Sequence, residues 1–320
     1  MSKFDPYEHL KIIKNQDGTL TRLMEFPQIP ATGDGDLLPD QTVVSKDVTL
    51  DATKNTWLRI FRPAKIPSND NKIARLPIII YFHAGGWINF QASDVLNHET
   101  MNKLSDQIPA IAVAVNYRLA PETRLPGQYD DALDALNWVK NQSTDPIGDP
   151  WIKQFGDFSR VYLYGTSCGA NIVLHTAIRM IDYNISPLSI AGIILSQPLI
   201  GGKKRTKSEL KLAADPLFPL PVIDLLWELA LPVGTDRDHR FCNPLGDVQV
   251  KMKMDKLGRC LVIGFGGDPL IDRQQDLVQM MVMQGVAVEA RFDDVGFHGI
   301  EMVDPRRASA ILGFIKEFVV

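Results

Sequence analysis

The sequence lacks the features that would assign the protein to a membrane, secreted or nucleic-acid-binding class. No apolar run approaches the roughly eighteen residues of a membrane span, and residues 1–8 are too polar for a signal peptide. The 34 Lys and Arg residues against 38 Asp and Glu give a formal net charge of -4, with no basic stripe. Nucleic acid and anionic membranes are therefore not expected partners. We expect a cytoplasmic protein.

Cysteine is also scarce. Cys168, Cys242 and Cys260 form no CxxC motif, and His239 has no second histidine or cysteine at a typical zinc spacing. This usage fits a reducing compartment and predicts no structural metal site. No internal repeat is visible, and nothing in the sequence indicates an oligomeric state.

What the chain does contain is a regular alternation of apolar runs and helical patterns. Its 320 residues, 45% of them hydrophobic, suit one large α/β domain. After an antiparallel opening pair, the alternation predicts a mostly parallel sheet with helices on both faces. We predict a single domain, 1–320, with a small helical cap contributed by the N-terminal segment and residues 203–235. The predicted strands are 43–50, 57–61, 78–82, 110–115, 161–164, 190–195, 260–265 and 286–292, and the predicted helices are 129–140, 171–183, 272–284 and 305–318, with a further helix within 216–232.

A G-x-S-x-G motif lies between a predicted strand and a predicted helix. The tight turn projects the hydroxyl of Ser167 at the carboxyl edge of the sheet, while Gly165 and Gly169 let strand and helix approach each other. The N-terminus of the following helix favours developing negative charge. Ser167 is therefore a candidate nucleophile. The alternative is a glycine-rich loop without a catalytic role.

A serine nucleophile needs a histidine base and a carboxylate that orients the histidine. After this type of turn the carboxylate and the histidine follow in that order along the chain. Asp268 directly follows the strand 260–265, and His298 follows the last predicted strand. We predict a catalytic triad of Ser167, Asp268 and His298. The competing carboxylates in the same two loops are Asp272, Asp293 and Asp294.

The segment FHAGGW, residues 82–87, follows the strand 78–82 without a linker. Glycines at this place allow the backbone to approach a bound group. We predict that the amides of Gly85 and Gly86, with the amide of Cys168, bind the oxyanion of a tetrahedral intermediate. His83 and Ala84 would support this loop, and His83 would not act as the base. The alternative is a simple glycine turn.

Together these motifs resemble those of the plant carboxylesterases of the hormone-sensitive-lipase group of α/β-hydrolases. The resemblance covers nearly the whole chain. The corresponding segments are DGTLTR (17–22), YFHAGG (81–86), NYRLAPE (116–122), YDDA (129–132), GTSCGAN (165–171) and GDPLIDR (267–273).

The resemblance implies an α/β-hydrolase fold and a serine esterase without a cofactor. Its substrates would be small esters or acylated specialised metabolites, which are hydrolysed through an acyl-enzyme. It also implies that Ser167 is the nucleophile, His298 the base and Asp268 the orienting acid. Arg118 and Glu122 in the segment 116–122 are expected to brace loops near the site and not to touch the substrate.

The sequence departs from the family pattern at four positions around the predicted site. Ala84 replaces the first loop glycine, Thr166 replaces the usual acidic residue, and Cys168 and Ala170 replace smaller residues. These changes are either neutral or adapt the pocket to a substrate other than an ordinary ester.

The family also contains dehydratases, cyclases and hormone receptors, and the receptors have lost the catalytic histidine. One alternative function is therefore a non-hydrolytic lyase, cyclase or dehydratase of plant specialised metabolism, acting on alkaloid-like compounds with His298 as its base. A receptor-like binding protein is the third hypothesis, which the complete triad disfavours.

The substrate pocket is predicted from apolar residues near the carboxyl edge of the sheet and in the cap. The candidates are Trp87 and Ile88 after the glycine loop, Leu199 and Ile200 after the strand 190–195, and Phe218 in the inserted segment. Leu226 and Trp227, in the same inserted segment, are expected in the core. Such a pocket would suit a hydrophobic acyl group or an alkaloid-like or terpenoid body.

Overall fold

The computed structural model describes residues 4–33, 35, 38, 40–69 and 72–320. Its strands alternate with helices along most of the chain. The strands are β1 (Ile12–Lys14), β2 (Leu20–Arg22), β3 (Val43–Asp51), β4 (Thr56–Pro63), β5 (Ser68–Asn69), β6 (Lys72–Ile73), β7 (Leu76–Phe82), β8 (Ile111–Asn116), β9 (Gly156–Thr166), β10 (Ile190–Ser196), β11 (Arg259–Phe265) and β12 (Ala287–Asp293). The helices are α1 (Pro6–Leu10), α2 (Val95–Gln107), α3 (Gly127–Gln142), α4 (Pro150–Phe155), α5 (Cys168–Met180), α6 (Lys207–Lys211), α7 (Leu220–Ala230), α8 (Val248–Met254), α9 (Ile271–Met283) and α10 (Pro305–Val319).

Eight strands form the central sheet in the order β12-β11-β10-β9-β7-β8-β4-β3. The pairs from β8 through β12 are parallel, whereas β3 and β4 add an antiparallel edge. All seven residues of β7 are buried, as expected for a strand covered on both faces. The parallel pairing brings the carboxyl ends of β7, β9, β10, β11 and β12 to one edge of the sheet. That edge carries the predicted site residues.

Helices cover both faces of this sheet. Along β7, Ile78 and Ile80 face the layer that contains α3, α5 and α9, whereas Ile79 and Tyr81 face the layer that contains α2 and α10. This alternation follows from the two-residue period of a strand. Twelve of the thirteen residues of α5 are buried, so α5 is the central helix beneath Ser167.

The predicted mostly parallel sheet is confirmed, and the predicted strands agree with the observed ones to within a few residues at most ends. The sequence analysis assigned no helix between β7 and β8, where α2 lies. Polar residues weaken the apolar pattern of α2, yet Asn97 and His98 are buried. Their side chains find polar partners in Gln91 O at 2.8 Å and Arg59 at 3.2 Å, and such tertiary hydrogen bonds leave no periodic signal in the sequence.

Two separate segments lie above the carboxyl edge of the sheet. One is the N-terminal segment that contains α1, and the other is the inserted segment that contains α7. The short helix α1 packs against α7, and His9 Nε2 lies 3.1 Å from the carbonyl oxygen of Leu217. The β1–β2 hairpin follows α1. In the described part of the chain, no helix has the length and apolar character needed to cross a membrane.

Candidate active site

Ser167 sits on a sharp turn between β9 and α5. Its backbone adopts φ 56° and ψ −117°, a conformation that is strained for an L-residue. A Cβ atom on Gly169 would overlap the carbonyl oxygen of Phe82, and one on Gly165 would overlap that of Gly169. Glycine at both positions therefore allows the strand and the helix to approach closely enough to form the turn.

The structure brings Ser167, His298 and Asp268 together, although they lie in three separate loops. Ser167 Oγ is 2.8 Å from His298 Nε2, and His298 Nδ1 is 2.7 Å from Asp268 Oδ2. Asp268 is fully buried and also accepts hydrogen bonds from Leu270 N and Gln274 Nε2, both at 2.8 Å. These donors fix the carboxylate in place.

The environment of His298 favours its protonated form. Burial by itself lowers the pKa of the imidazole, but the adjacent Asp268 carboxylate outweighs burial, so that the pKa lies above the ordinary value of 6.5. The ring of Phe218 stacks on the imidazole, with 4.3 Å between the ring centroids and 9° between the planes. The histidine is therefore held both by a carboxylate and by an aromatic face.

The three competing carboxylates lie elsewhere. Asp272 accepts a hydrogen bond from Ser208 N at 2.8 Å, Asp293 pairs with Arg307, and Asp294 is exposed. Of the four candidate carboxylates, only Asp268 contacts the imidazole of His298.

The glycine loop after β7 has the backbone geometry that requires glycine. Gly85 has φ 111° and Gly86 has φ 62°, and both line the same cavity as Ser167. A Cβ atom on Gly85 would overlap the carbonyl oxygen of Asn89. Ala84 does not adopt a positive φ, so its methyl group causes no backbone strain of this kind.

His83 is buried beneath this loop and stacks on Tyr117, with 4.2 Å between the ring centroids. Its Nδ1 lies 2.7 Å from the carbonyl oxygen of Ala84, which places the imidazole proton on Nδ1 because a carbonyl only accepts. Burial lowers the pKa of His83 to about 4, so the ring is neutral at pH 7. The Tyr117 hydroxyl donates to His83 O at 2.8 Å.

The thiol of Cys168 fills the space between the turn and the glycine loop. Its Sγ accepts a hydrogen bond from Trp87 N at 3.3 Å and lies 3.6 Å from the Tyr117 hydroxyl. Burial raises the pKa of this thiol to about 11, so it is neutral. The Cys168 side chain therefore braces the loop, while its backbone amide begins α5.

A cavity of about 300 Å³ opens above Ser167 and His298. Its wall combines the glycine loop with residues from the N-terminal segment, the inserted segment and the loop after β12. Four partly buried phenylalanines from these segments line it. They are Phe26, Phe90, Phe218 and Phe297.

Four of the five predicted pocket residues do not line this cavity. Trp87, Ile88, Leu199 and Ile200 are all fully buried in the core, whereas Phe218 lies on the cavity wall. The indole of Trp87 packs against Trp227, with 4.7 Å between the ring centroids. An apolar residue just after a strand can face either the core or a cavity, and only packing decides between them.

Leu226 belongs to the buried core, as predicted, and it also reaches the cavity. Its side chain packs over Gly86 and forms part of the cavity wall. Trp227, the next residue, is fully buried as expected.

Two polar residues that the sequence patterns do not indicate are joined by a hydrogen bond in the cavity wall. Gln197 directly follows β10, and Glu301 lies three residues after His298 in a 3₁₀ turn formed by Ile300–Met302. Gln197 Nε2 donates to Glu301 Oε2 at 2.6 Å, and its Oε1 accepts from Gly299 N at 2.7 Å. The available signal for Gln197 was its position at the carboxyl end of a parallel strand.

Among the described residues, no group of three or more His, Cys, Asp and Glu side chains is arranged to hold a metal ion. Ser167 and His298 face the cavity, and His298 also contacts the buried carboxylate of Asp268.

Comparison with known proteins shows the family to which the chain belongs. Residues 79–302 match the profile of a protein family with the alpha/beta hydrolase fold. Probable carboxylesterase 9 of Arabidopsis thaliana is 54% identical over 99% of this chain and 97% of its own length. The chain belongs to the plant carboxylesterase family of α/β-hydrolases.

One further plant protein is similar in sequence, and one solved structure is similar in fold. A 3-O-acetylpapaveroxine carboxylesterase of Papaver somniferum is 45% identical over 98% of this chain and 99% of its own length. A hyperthermophilic esterase from the archaeon Pyrobaculum calidifontis superimposes with a TM-score of 0.71 at 21% identity, over 88% of this chain and 86% of its own. The similarity to the archaeal esterase is one of fold alone.

These comparisons confirm the predicted family, the predicted fold and the ester hydrolase class. They leave the roles of individual residues as proposals.

Proposed function

We propose that the protein is a serine carboxylesterase that hydrolyses small or specialised-metabolite esters, including acetyl esters, through an acyl-enzyme. The observation that carries this proposal is the hydrogen-bonded series Ser167–His298–Asp268, with contacts of 2.8 and 2.7 Å, at the floor of a largely apolar cavity. The Papaver relative named for an acetylated metabolite supports the substrate class.

In the proposed reaction, Ser167 Oγ attacks the ester carbonyl and transfers its proton to His298 Nε2. Asp268 accepts the Nδ1 hydrogen bond and stabilises the imidazolium that forms. The histidine then gives the proton to the leaving alcohol, and a water molecule, deprotonated by the same imidazole, releases the acid from Ser167.

The amides of Gly85, Gly86 and Cys168 are the proposed oxyanion donors. Support comes from the positive φ angles of the two glycines and from the position of the Cys168 amide at the start of α5. His83, Ala84 and the Tyr117 hydroxyl would hold this loop in shape. Loss of one such donor typically raises the barrier by about 3 kcal/mol.

We further propose that the chain is a single domain, 1–320, in which the N-terminal segment and residues 203–235 form a cap over the cavity. The contact of α1 with α7 and the cavity-lining position of Phe26 and Phe218 support this arrangement. A cytoplasmic location is proposed from the three cysteines, all of which are buried and unpaired.

The test is hydrolysis of p-nitrophenyl esters from acetate to octanoate by the wild type and by Ser167→Ala. We expect the substitution to lower kcat/KM by at least about 10⁴-fold, because the nucleophile is lost. Ser105→Ala, which alters a buried serine on α2 away from the cavity, is the matched control and should retain activity. The dependence of kcat/KM on acyl chain length then measures how long an acyl group the pocket accepts.

Labelling by a fluorophosphonate supplies an independent readout. Mass spectrometry should find the adduct on Ser167 in the wild type and none in the variant. Turnover of a substrate that survives Ser167→Ala but is lost in His298→Ala would overturn the proposal in favour of elimination or cyclisation on the same scaffold.

A further inference from the structure

Glu301 faces the same cavity as Ser167 and His298, although the proposed hydrolysis does not use it. It lies in the 3₁₀ turn that follows the catalytic histidine, and it is partly buried. One of its oxygens, Oε2, accepts the 2.6 Å hydrogen bond from Gln197 Nε2. A carboxyl group is therefore fixed in the cavity wall, beside Ser167 and His298.

When protonated, the imidazole of His298 interacts favourably with this carboxylate. Within the described ranges, Glu301 makes no ion pair with a lysine or arginine, and no lysine or arginine lines the cavity. Burial raises the pKa of the Glu301 carboxyl above its ordinary value, although the hydrogen bond from Gln197 and the charge of His298 lower it in part. When His298 is neutral, Asp268 and Glu301 both contribute negative potential to the cavity.

The rest of the wall suits a large organic cation. Phe26 and Phe90 are in ring contact, with 4.4 Å between their centroids, and Phe218 stacks on His298. Phe297 lines the cavity next to the histidine. Aromatic faces attract ammonium groups, most strongly where water is displaced, and a nearby carboxylate adds a direct charge interaction.

We propose that Glu301 and the phenylalanine faces form a subsite for a cationic group, so that the preferred substrates are esters of amine-containing compounds. Resting on the proposed esterase function, this inference narrows the substrate class. The ester is hydrolysed to an acid and an alcohol, and the ammonium group passes through the reaction unchanged.

The experiment uses two aryl acetates of nearly identical shape. One is 4-(trimethylammoniomethyl)phenyl acetate, which carries a permanent positive charge. The other is 4-neopentylphenyl acetate, in which a carbon atom replaces the nitrogen. The corresponding 3-substituted pair varies the distance between the charge and the ester. The readout is the ratio of kcat/KM for the charged ester to that for the neutral ester.

We expect the wild type to favour the charged ester of at least one pair, and Glu301→Gln to lower that ratio by at least about tenfold. The glutamine keeps the size of the side chain and an oxygen that can accept the hydrogen bond from Gln197. Glu99→Gln is the matched control. Glu99 lines a neighbouring cavity that also contacts Glu301, but it does not line the catalytic one, so the ratio should change by less than about twofold.

A purely positioning role for Glu301 predicts a different result. If it served only to hold Gln197 and the amide of Gly299, Glu301→Gln would slow both esters alike and leave the ratio unchanged. An unchanged ratio in both pairs would overturn the cation subsite while leaving the esterase proposal intact.

A binding measurement tests the cation subsite independently of ester hydrolysis. In the Ser167→Ala background, 4-(trimethylammoniomethyl)phenol and 4-neopentylphenol are titrated by calorimetry. Tighter binding of the charged phenol, lost on adding Glu301→Gln, would support the subsite even if no ester were hydrolysed. Equal binding of the two phenols would contradict it.

Discussion

Ser167 holds a backbone conformation that costs an L-residue about 1–3 kcal/mol, and neighbouring atoms maintain it. Its amide donates to Ser196 O at 2.8 Å, and its carbonyl accepts from Leu199 N at 3.0 Å. Both partners belong to β10 or to the loop directly after it. The neighbouring parallel strand therefore holds the turn from outside, which keeps the serine hydroxyl aimed at His298.

Asp268→Asn should change both the rate and its pH dependence. His298 accepts a proton only when neutral, so kcat/KM for an ester falls as the pH drops through the raised pKa of His298, above 6.5 in the wild type. Loss of the carboxylate removes the charge that raises this pKa. We expect the acid limb to move to lower pH and the plateau to fall by about 10³–10⁴-fold.

The pH–rate profile of p-nitrophenyl acetate hydrolysis measures both effects. Asp294→Asn, which alters an exposed carboxylate in the loop that carries His298, should keep the wild-type acid limb. An acid limb that stayed in place in Asp268→Asn would show that another group sets the protonation of His298.

At the scale of single elements, the close crossing of β7 and α5 depends on one missing side chain. Gly169→Ala places a Cβ atom against the carbonyl oxygen of Phe82, and neither backbone segment can move without disturbing the sheet. We expect a loss of about 3 kcal/mol or more in the free energy of unfolding. Urea denaturation measures this loss of stability. Failure to obtain the variant in folded form would also indicate it.

Gly313→Ala is the matched control on another helix. Gly313 lies in α10 and has nothing within 4 Å of the added Cβ atom. Alanine is the better helix former, so the free energy of unfolding should rise by about 0.5–1 kcal/mol. Equal destabilisation by the two substitutions would contradict the steric explanation for Gly169.

At the scale of the whole molecule, an ion pair ties the N-terminal segment to the loop after β8. Arg22 donates to both oxygens of Glu122 at 3.0 and 2.8 Å, and also to Ile88 O at 2.6 Å. Leu20 N donates to the same carboxylate at 2.9 Å. The family motifs DGTxxR and YRLAPE thus meet in space. Their contact positions Met24 and Phe26, further along the N-terminal segment, over the cavity.

Glu122→Gln tests this ion pair through the pH dependence of the free energy of unfolding. Burial alone raises the pKa of Glu122, but the hydrogen bonds from Arg22 and Leu20 outweigh it, so the pKa lies below the ordinary 4.5. A carboxyl whose pKa is lowered on folding stabilises the protein above its unfolded pKa and loses that effect as the pH falls through the folded value. We expect Glu122→Gln to be less stable than the wild type at pH 7, with the difference shrinking below about pH 4.5.

Urea midpoints at pH 7 and at pH 3.5 provide this comparison. Glu25→Gln, at an exposed position in the same segment, should show little difference at either pH. A destabilisation by Glu122→Gln that persisted unchanged at pH 3.5 would indicate lost packing and not a lost charge.

Local patterns in the sequence were enough to predict the eight strands of the central sheet and five helices, and to propose Ser167, Asp268 and His298 as the reacting side chains. Apolar runs and helical patterns are local properties, so they indicate these strands and the helices α3, α5, α7, α9 and α10, whereas the buried polar residues of α2 conceal its pattern. The predicted triad used the same logic, because residues that directly follow parallel strands must lie at one edge of the sheet. The family motifs added the order Ser, Asp, His.

Which residues form the cavity wall depends on packing between segments that are distant in the sequence. Phe26, Phe90, Gln197, Phe218 and Glu301 come from five distant parts of the chain, and no local pattern relates them. Four of the predicted pocket residues are as apolar as those in the cavity wall, yet they are buried in the core. They are Trp87, Ile88, Leu199 and Ile200. Whether an apolar side chain faces a cavity or the core depends on what packs against it, and the position of Glu301 in the cavity wall becomes apparent only once its neighbours are known.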